Sequence, residues 1–245
     1  MTDSSTSQAL PGEAAADTAR RLRSIAAVTS RGIPSTDWLP VIVPQAEARI
    51  PSKQAVAERL FAMFAVCVHC EARQSGESWK EAQKYTRRMD EISGGRLSTM
   101  LTPQETTFLA TKPSFLADKK LDQAALNKFG WRYECCHVLM WALGLIDELG
   151  YPDHICDVSS MGQVIWRQAS LADFVKAVEL RPVDELLDTA DLVLRFDWAC
   201  VDARIHQQAS PAGLNSEVVV EWHYAFNWLT GANGDAGWDD ISPDT

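Results

Sequence analysis

The sequence contains none of the short motifs that announce a chemistry: no Gly-x-Ser-x-Gly elbow, no phosphate-binding glycine loop, no dinucleotide fingerprint and no His-Glu-x-x-His pair. Its longest apolar run, Val138 to Ile146, falls well short of the roughly 20 residues that span a bilayer. No charged segment followed by an apolar one opens the chain, so a cytoplasmic location is expected and no membrane association. Alternating apolar and polar runs are nearly absent, which argues against a sheet protein, and neither a fixed-period repeat nor a Pro/Ser-rich linker divides the chain. Six cysteines, two of them the adjacent Cys135 and Cys136, do not form the pattern of a secreted disulfide framework.

Basic residues are scarce where acidic ones are common. The 245 residues carry 23 Lys and Arg against 33 Asp and Glu, a formal charge of −10. Residues 1–130 hold 17 basic and 14 acidic side chains, whereas 131–245 hold 6 and 19. A nucleic-acid footprint needs clustered cations to displace counterions, so nucleic acid is not an expected partner. With 46% apolar residues the chain has the makings of an ordinary core. At this length roughly 70–75% of the unfolded surface is buried on folding, so neither disulfide nor metal is needed for stability.

What is present reads as helix after helix. Residues 1–16 are poor in apolar mass and are expected to form a disordered leader. Helical spacing then runs from Ala16 to Ser30, with Gly32 and Pro34 as the stop; Trp38 to Val43 is expected to be extended between prolines. Pro51-Ser52 opens a long helix to about Arg73, and Ser78 with Glu81 makes a capping box for a basic helix to about Met89. Thr102-Pro103-Gln104-Glu105 repeats that signal. A helix is expected from Asp122 to Leu149, with Gly130 as a possible interruption and Gly150 as the stop. Further helices follow near Met161 to Gln168, after the Ser170 cap, from Pro182 to His206, and from Asn215 to Leu229. The expected architecture is all-α, a single irregular multi-helix bundle over residues 17–245.

Polar residues inside these patterns are the candidates for function. At about 100° per residue, Val183, Leu187, Ala190, Leu194, Val201 and Ile205 share one stripe; Asp184, Asp188, Asp191, Arg195 and Asp202 lie opposite. Asp197 falls inside the stripe and Arg204 at its edge. A buried carboxylate needs a partner, so Asp197 is expected to meet an Arg or backbone donors. On the last helix His223 and Asn227 sit in one gap between two apolar stripes, with Glu221 in the other. The third set is Glu134, His137, Trp141, Gly144 and Glu148 along one line.

Two readings of these sets stay open. In the first they tie helices together: Asp197 to an Arg, His223 to a carboxylate or carbonyl, Glu134 to Arg132 or His137. In the second they converge on a pocket where Glu134, His137, Asp197, Glu221 and His223 serve a hydrolase or metal-dependent enzyme. Cys67-Val68-His69-Cys70 has a zinc-like gap, and Cys135 with His137 could complete such a site; the helical context without turn chemistry favours small buried hydrophobes, and no metal or cofactor is expected. Of nine tryptophans seven follow residue 130, and core packing is the simplest account of them, with Trp38 and Trp238 placed to cover another element or a partner.

Several stretches resemble a bacterial family known as domain of unknown function 4272. They are Trp131-Arg132-Tyr133-Glu134 leading into Trp141-Ala142-Leu143-Gly144, Arg195-Phe196-Asp197-Trp198-Ala199 with Arg204, and Val219-Val220-Glu221-Trp222-His223 into Asn227-Trp228-Leu229. Trp238-Asp239-Asp240 and Asp244-Thr245 close the match. The likeness covers roughly residues 17–245 and departs at Trp222, where the family pattern leads one to expect Arg. It implies a fold and a choice of positions, and no activity. The function expected from the acidic composition is a protein-binding module, with an immunity-type partner of a basic toxin as one form and the enzyme as the alternative.

Overall fold

The computed structural model describes residues 9–112 and 119–244. Among them are ten α-helices and no strand: α1 (Ala15–Ser30), α2 (Lys53–Gln74), α3 (Trp79–Ile92), α4 (Leu97–Met100), α5 (Pro103–Ala110), α6 (Lys119–Ala142), α7 (Val158–Trp166), α8 (Leu171–Ala177), α9 (Val183–Ile205) and α10 (Ser216–Thr230). The expected all-α architecture is thus present. Residues 1–8 of the expected leader, and Thr245, lie outside the described residues. The leader's boundary is corrected at its inner end: Glu13 accepts hydrogen bonds from Arg21 Nε at 2.9 Å and from Leu10 N at 3.1 Å, so order begins before α1.

The caps form as their sequences dictate. Ser78 with Glu81 and Thr102 with Glu105 make complete capping boxes, satisfying two backbone donors apiece. Asn215 accepts from Glu217 N and Val218 N, and Gly231, in the left-handed region, ends α10. There a Cβ would lie 2.9 Å from Arg49 Cβ, so the glycine also permits the close approach that lets Arg49 N donate to Thr230 O.

The helices pack in the order α1, α9, α10, α6, α2, α3, which differs from their order in the chain. Helix α2 is buried almost continuously from Val56 to Cys70, because α6, α3 and α8 cover it on different sides. Phe61 meets Phe174 of α8, and Phe64 meets both Tyr133 of α6 and Trp166 of α7, all edge-on.

Two boundaries differ from expectation. Gly130 does not interrupt α6, since it sits on the face packed on α2, where a Cβ would meet Gln74 and Cys70 side chains at 3.4–3.7 Å. The same helix stops at Ala142 and not at Leu149. Gly144 takes a left-handed turn with Leu145 N donating to Met140 O, and Arg181 donates to Trp141 O, Ile146 O and Asp147 O, each at 2.8 Å. Gly144 and Glu148 therefore leave the polar line drawn through Glu134, His137 and Trp141. Residues 38–43 are irregular and form no regular extended element.

Candidate functional site

Asp197 of α9 and His223 of α10 are brought together at the seam between the two helices. His223 Nδ1 lies 2.9 Å from Asp197 Oδ2, with both side chains buried. The carboxylate thus finds an imidazole, where an arginine or backbone donors were expected. Arg204 is exposed, and so is Ile205 at 69%, because the last turn of α9 extends past the packing partners; Arg204 does not share the buried zone. One turn beyond His223, Asn227 donates to Ser242 O at 2.9 Å, while its Oδ1 is buried without a partner.

The α6–α10 seam holds a second polar set. Glu134 Oε1 accepts from Cys156 N at 2.7 Å, and Oε2 accepts from the Trp222 indole at 3.0 Å. It therefore pairs with neither Arg132 nor His137. Arg132 instead donates to Glu221 at 2.8 Å and lies 3.6 Å from the centroid of the Tyr224 ring, and the Cys135 thiol donates to Glu221. His137 stacks on Trp222 and bonds Leu149 O through Nε2 at 3.2 Å; burial pulls its pKa down, so the ring favours its neutral form. Each member is turned toward a structural partner on another element. The sets do not converge: Asp197 and His223 occupy one seam, and Glu134, His137 and Glu221 the other.

A third buried polar set escaped the sequence reading. Asp191 and Arg195, assigned to the solvent side of α9, are 0% and 1% exposed. Helix α1 and residues 39–43 cover them. Arg195 donates to Leu39 O at 2.8 Å, Pro40 O at 2.9 Å and Asp191, while Asp191 accepts from Ile42 N at 3.1 Å. Burial pushes the Asp191 carboxyl up in spite of Arg195 beside it. Arg20 and Arg21 of α1 are buried in the same layer, paired with Asp17 and Glu13. The available signal was that Leu186, Val193 and Phe196 widen the apolar arc of α9 until little of the helix is left for solvent.

None of the six cysteines forms a disulfide, and five are buried. Cys67 meets Cys136 across the α2–α6 interface, whereas Cys70 donates to Leu126 O, so the two do not face a common point. Burial raises the pKa of both Cys67 and Cys135 far above the ordinary thiol range, which makes them poor nucleophiles. Among the described residues no three His, Cys, Asp or Glu side chains gather as metal ligands.

The tryptophans divide as their surroundings dictate. Trp141 packs on Phe226 under Arg181, and Trp131 and Trp228 are partly buried against the core. Trp238 closes over α10: it meets Tyr224 and Trp228 edge-on, carries Arg59 on its face at 5.1 Å, and its carbonyl accepts from the Tyr224 hydroxyl. Trp38 is 66% exposed and touches the half-buried Trp198.

Two grooves open on other faces, and none of the candidate polar residues lines either. One, of about 440 Å³, lies between α2, α3 and α8 beside Glu58 and Arg96, which pair with each other. The other, of about 690 Å³, lies between α2, α3, α6 and α7. The sequence reading did not single it out.

With this geometry in view, the comparison with known families is decisive for membership. The profile of the family described as domain of unknown function (DUF4272) matches residues 20–241. The chain belongs to that family. No curated protein and no solved structure matches it. The match covers Asp191, Arg195 and the two seams of α10, and both grooves; Glu13 and Asp17 lie before it. No helix is long and apolar enough to cross a membrane among the described residues.

Proposed function

We propose that this chain is a protein-binding module whose partner is a basic protein, with neutralisation of a toxin, as an immunity protein performs it, as the form this takes. The observation that carries the reading is where the charged groups sit. The acid–base candidates Asp197 and His223 are at most 3% exposed and turned toward each other, so no substrate reaches them without opening the bundle. The acidic excess lies outside: Asp147, Glu148, Asp153, Asp173, Glu179 and Asp240 are all exposed. Such a surface attracts and orients a cationic partner over distances of about a Debye length, roughly 8–10 Å at ordinary salt. A cytoplasmic setting goes with this reading.

The test is genetic and physical. Deleting the gene should sensitise cells to a basic protein encoded beside it, and the purified pair should associate with an affinity that falls as salt rises. Unaltered survival, or association indifferent to salt, contradicts the proposal. The enzyme alternative places catalysis on Glu134, His137, Asp197, Glu221 and His223. It would require these side chains to share one water-accessible space.

A further inference from the structure

The chain accommodates arginine in one recurrent way, over an aromatic face with a carboxylate at its head. Arg132 lies 3.6 Å from the Tyr224 centroid and donates to Glu221 at 2.8 Å. Arg181 lies 4.8 Å from the Trp141 centroid and pairs with Glu185 at 2.5 Å. Arg59 lies 5.1 Å from the Trp238 centroid and pairs with Glu105 at 2.5 Å. A guanidinium is drawn to the negative face of a ring, and the carboxylate meets its N–H groups in the guanidinium's own plane.

The groove between α2, α3, α6 and α7 contains the same parts. Its wall is a run of rings in edge or tilted contact: Tyr85 to Trp166 at 6.5 Å, Trp166 to Phe64 at 5.4 Å, and Phe64 to Tyr133 at 6.1 Å. Two carboxylates stand beside it, each oriented by a phenol: Tyr133 donates to Glu71 at 2.6 Å and Tyr85 to Glu77 at 3.2 Å. Among the described residues neither carboxylate has an ion-pair partner, and Arg167 on the rim stacks on none of these rings. Gly162 lies under the Trp166 ring, with no side chain of its own to fill the space. The groove thus has the aromatic face and the acid, and among the described residues no cation lies over its rings.

We infer that this groove receives an arginine or lysine side chain from the basic partner, held over Trp166 and Tyr85 with its head group at Glu71 and Glu77. The inference rests on the proposed function and gives it a place on the surface. The pairing of charge with aromatic area makes it a specific subsite, distinct from the general acidity of the surface.

The test is calorimetric titration of a hexa-arginine peptide into the whole chain at low and high salt. Glu71→Gln with Glu77→Gln keeps an acceptor for each phenol and should weaken binding by about tenfold or more. Glu47→Gln with Glu217→Gln removes the same charge from exposed sites outside the groove and should change affinity less than about threefold. Arg167→Gln should strengthen binding by removing a like charge. Trp166→Phe, which keeps an aromatic face, should weaken binding less than Trp166→Ala, with melting recorded for both. Equal losses in the two acidic double variants, or no binding by the unmodified chain, overturn the groove as the site. The broader reading fails on a different result: peptide binding dependent on Glu71 and Glu77 in a chain whose loss leaves cells no more sensitive to any neighbouring basic protein.

Discussion

The seams between α9, α10 and α6 and the groove between α2, α3, α6 and α7 share one chemistry and differ in how far it is satisfied. Both set carboxylates against aromatic rings. In the seams each carboxylate is already matched inside the chain, Glu134 by an indole and a backbone N–H, Glu221 by Arg132, Asp197 by His223. In the groove Glu71 and Glu77 receive only a phenol each, beside the exposed Tyr85 and the half-buried Trp166. Polar groups matched from several elements stabilise one arrangement of helices, because removing any one strands the others. Polar groups half matched at an open surface are available to something else. On the proposed reading scaffold and recognition are housed apart, and substitution should separate them.

The largest expected effect lies in the layer between α1 and α9. Arg195→Ala leaves Asp191 buried and unpaired and should cost about 3–5 kcal/mol in urea unfolding. A loss below about 1 kcal/mol would mean that α1 and residues 39–43 do not hold the pair dry. Next, Trp238→Ala removes the ring that lies against Tyr224, Trp228 and Arg59 and should cost about 3 kcal/mol. Loss of the Tyr224 contact should then appear in the near-ultraviolet spectrum before global unfolding.

The Asp197–His223 pair should rank third. Each alanine substitution strands one buried group at about 1–3 kcal/mol, and the double variant should recover part of the sum. Strict additivity would show that the two side chains do not depend on each other.

Lowering pH should weaken the fold through a different residue. His69 is buried between α2 and α3 with Nδ1 near Thr86 Oγ1, and burial, helped by the charge of Arg73, pulls its pKa down to about 4 against a backbone contact at Ala82. The unfolded chain takes up a proton near 6.5 and the folded one resists it. Stability should therefore fall as pH drops from about 6.5 toward about 4, and level off below, where the folded ring also titrates. His69→Leu should flatten that limb; an unchanged slope would assign the acid loss elsewhere. The smallest effect on stability belongs to the groove, where Glu71→Gln with Glu77→Gln should leave the melting temperature unaltered.

How far these features were legible in the sequence follows from whether their cause is local. The caps at Ser78, Thr102 and Asn215 were readable because a cap is made by neighbours within four residues. Asp197 and His223 were readable as polar interruptions of apolar stripes. Their pairing with each other was not, since it depends on how α9 crosses α10. Asp191 and Arg195 were misplaced because the wide apolar arc of α9 signals that little of the helix meets solvent, and does not say that α1 is the layer covering the polar side. The early end of α6 turned on Gly144 and on Arg181, almost 40 residues further along the chain. The groove was invisible for the same reason: four helices contribute to it, and none is remarkable by itself.

The separation of scaffold from recognition is tested most directly by the hexa-arginine affinity of Asp197→Asn, measured below its melting temperature. This variant keeps an oxygen acceptor for the His223 ring and disturbs only the buried seam. The account predicts the affinity of the unmodified chain together with a lowered melting temperature. A tenfold loss of affinity in a variant that melts as the unmodified chain does would contradict it, by making the enclosed pair part of the binding surface.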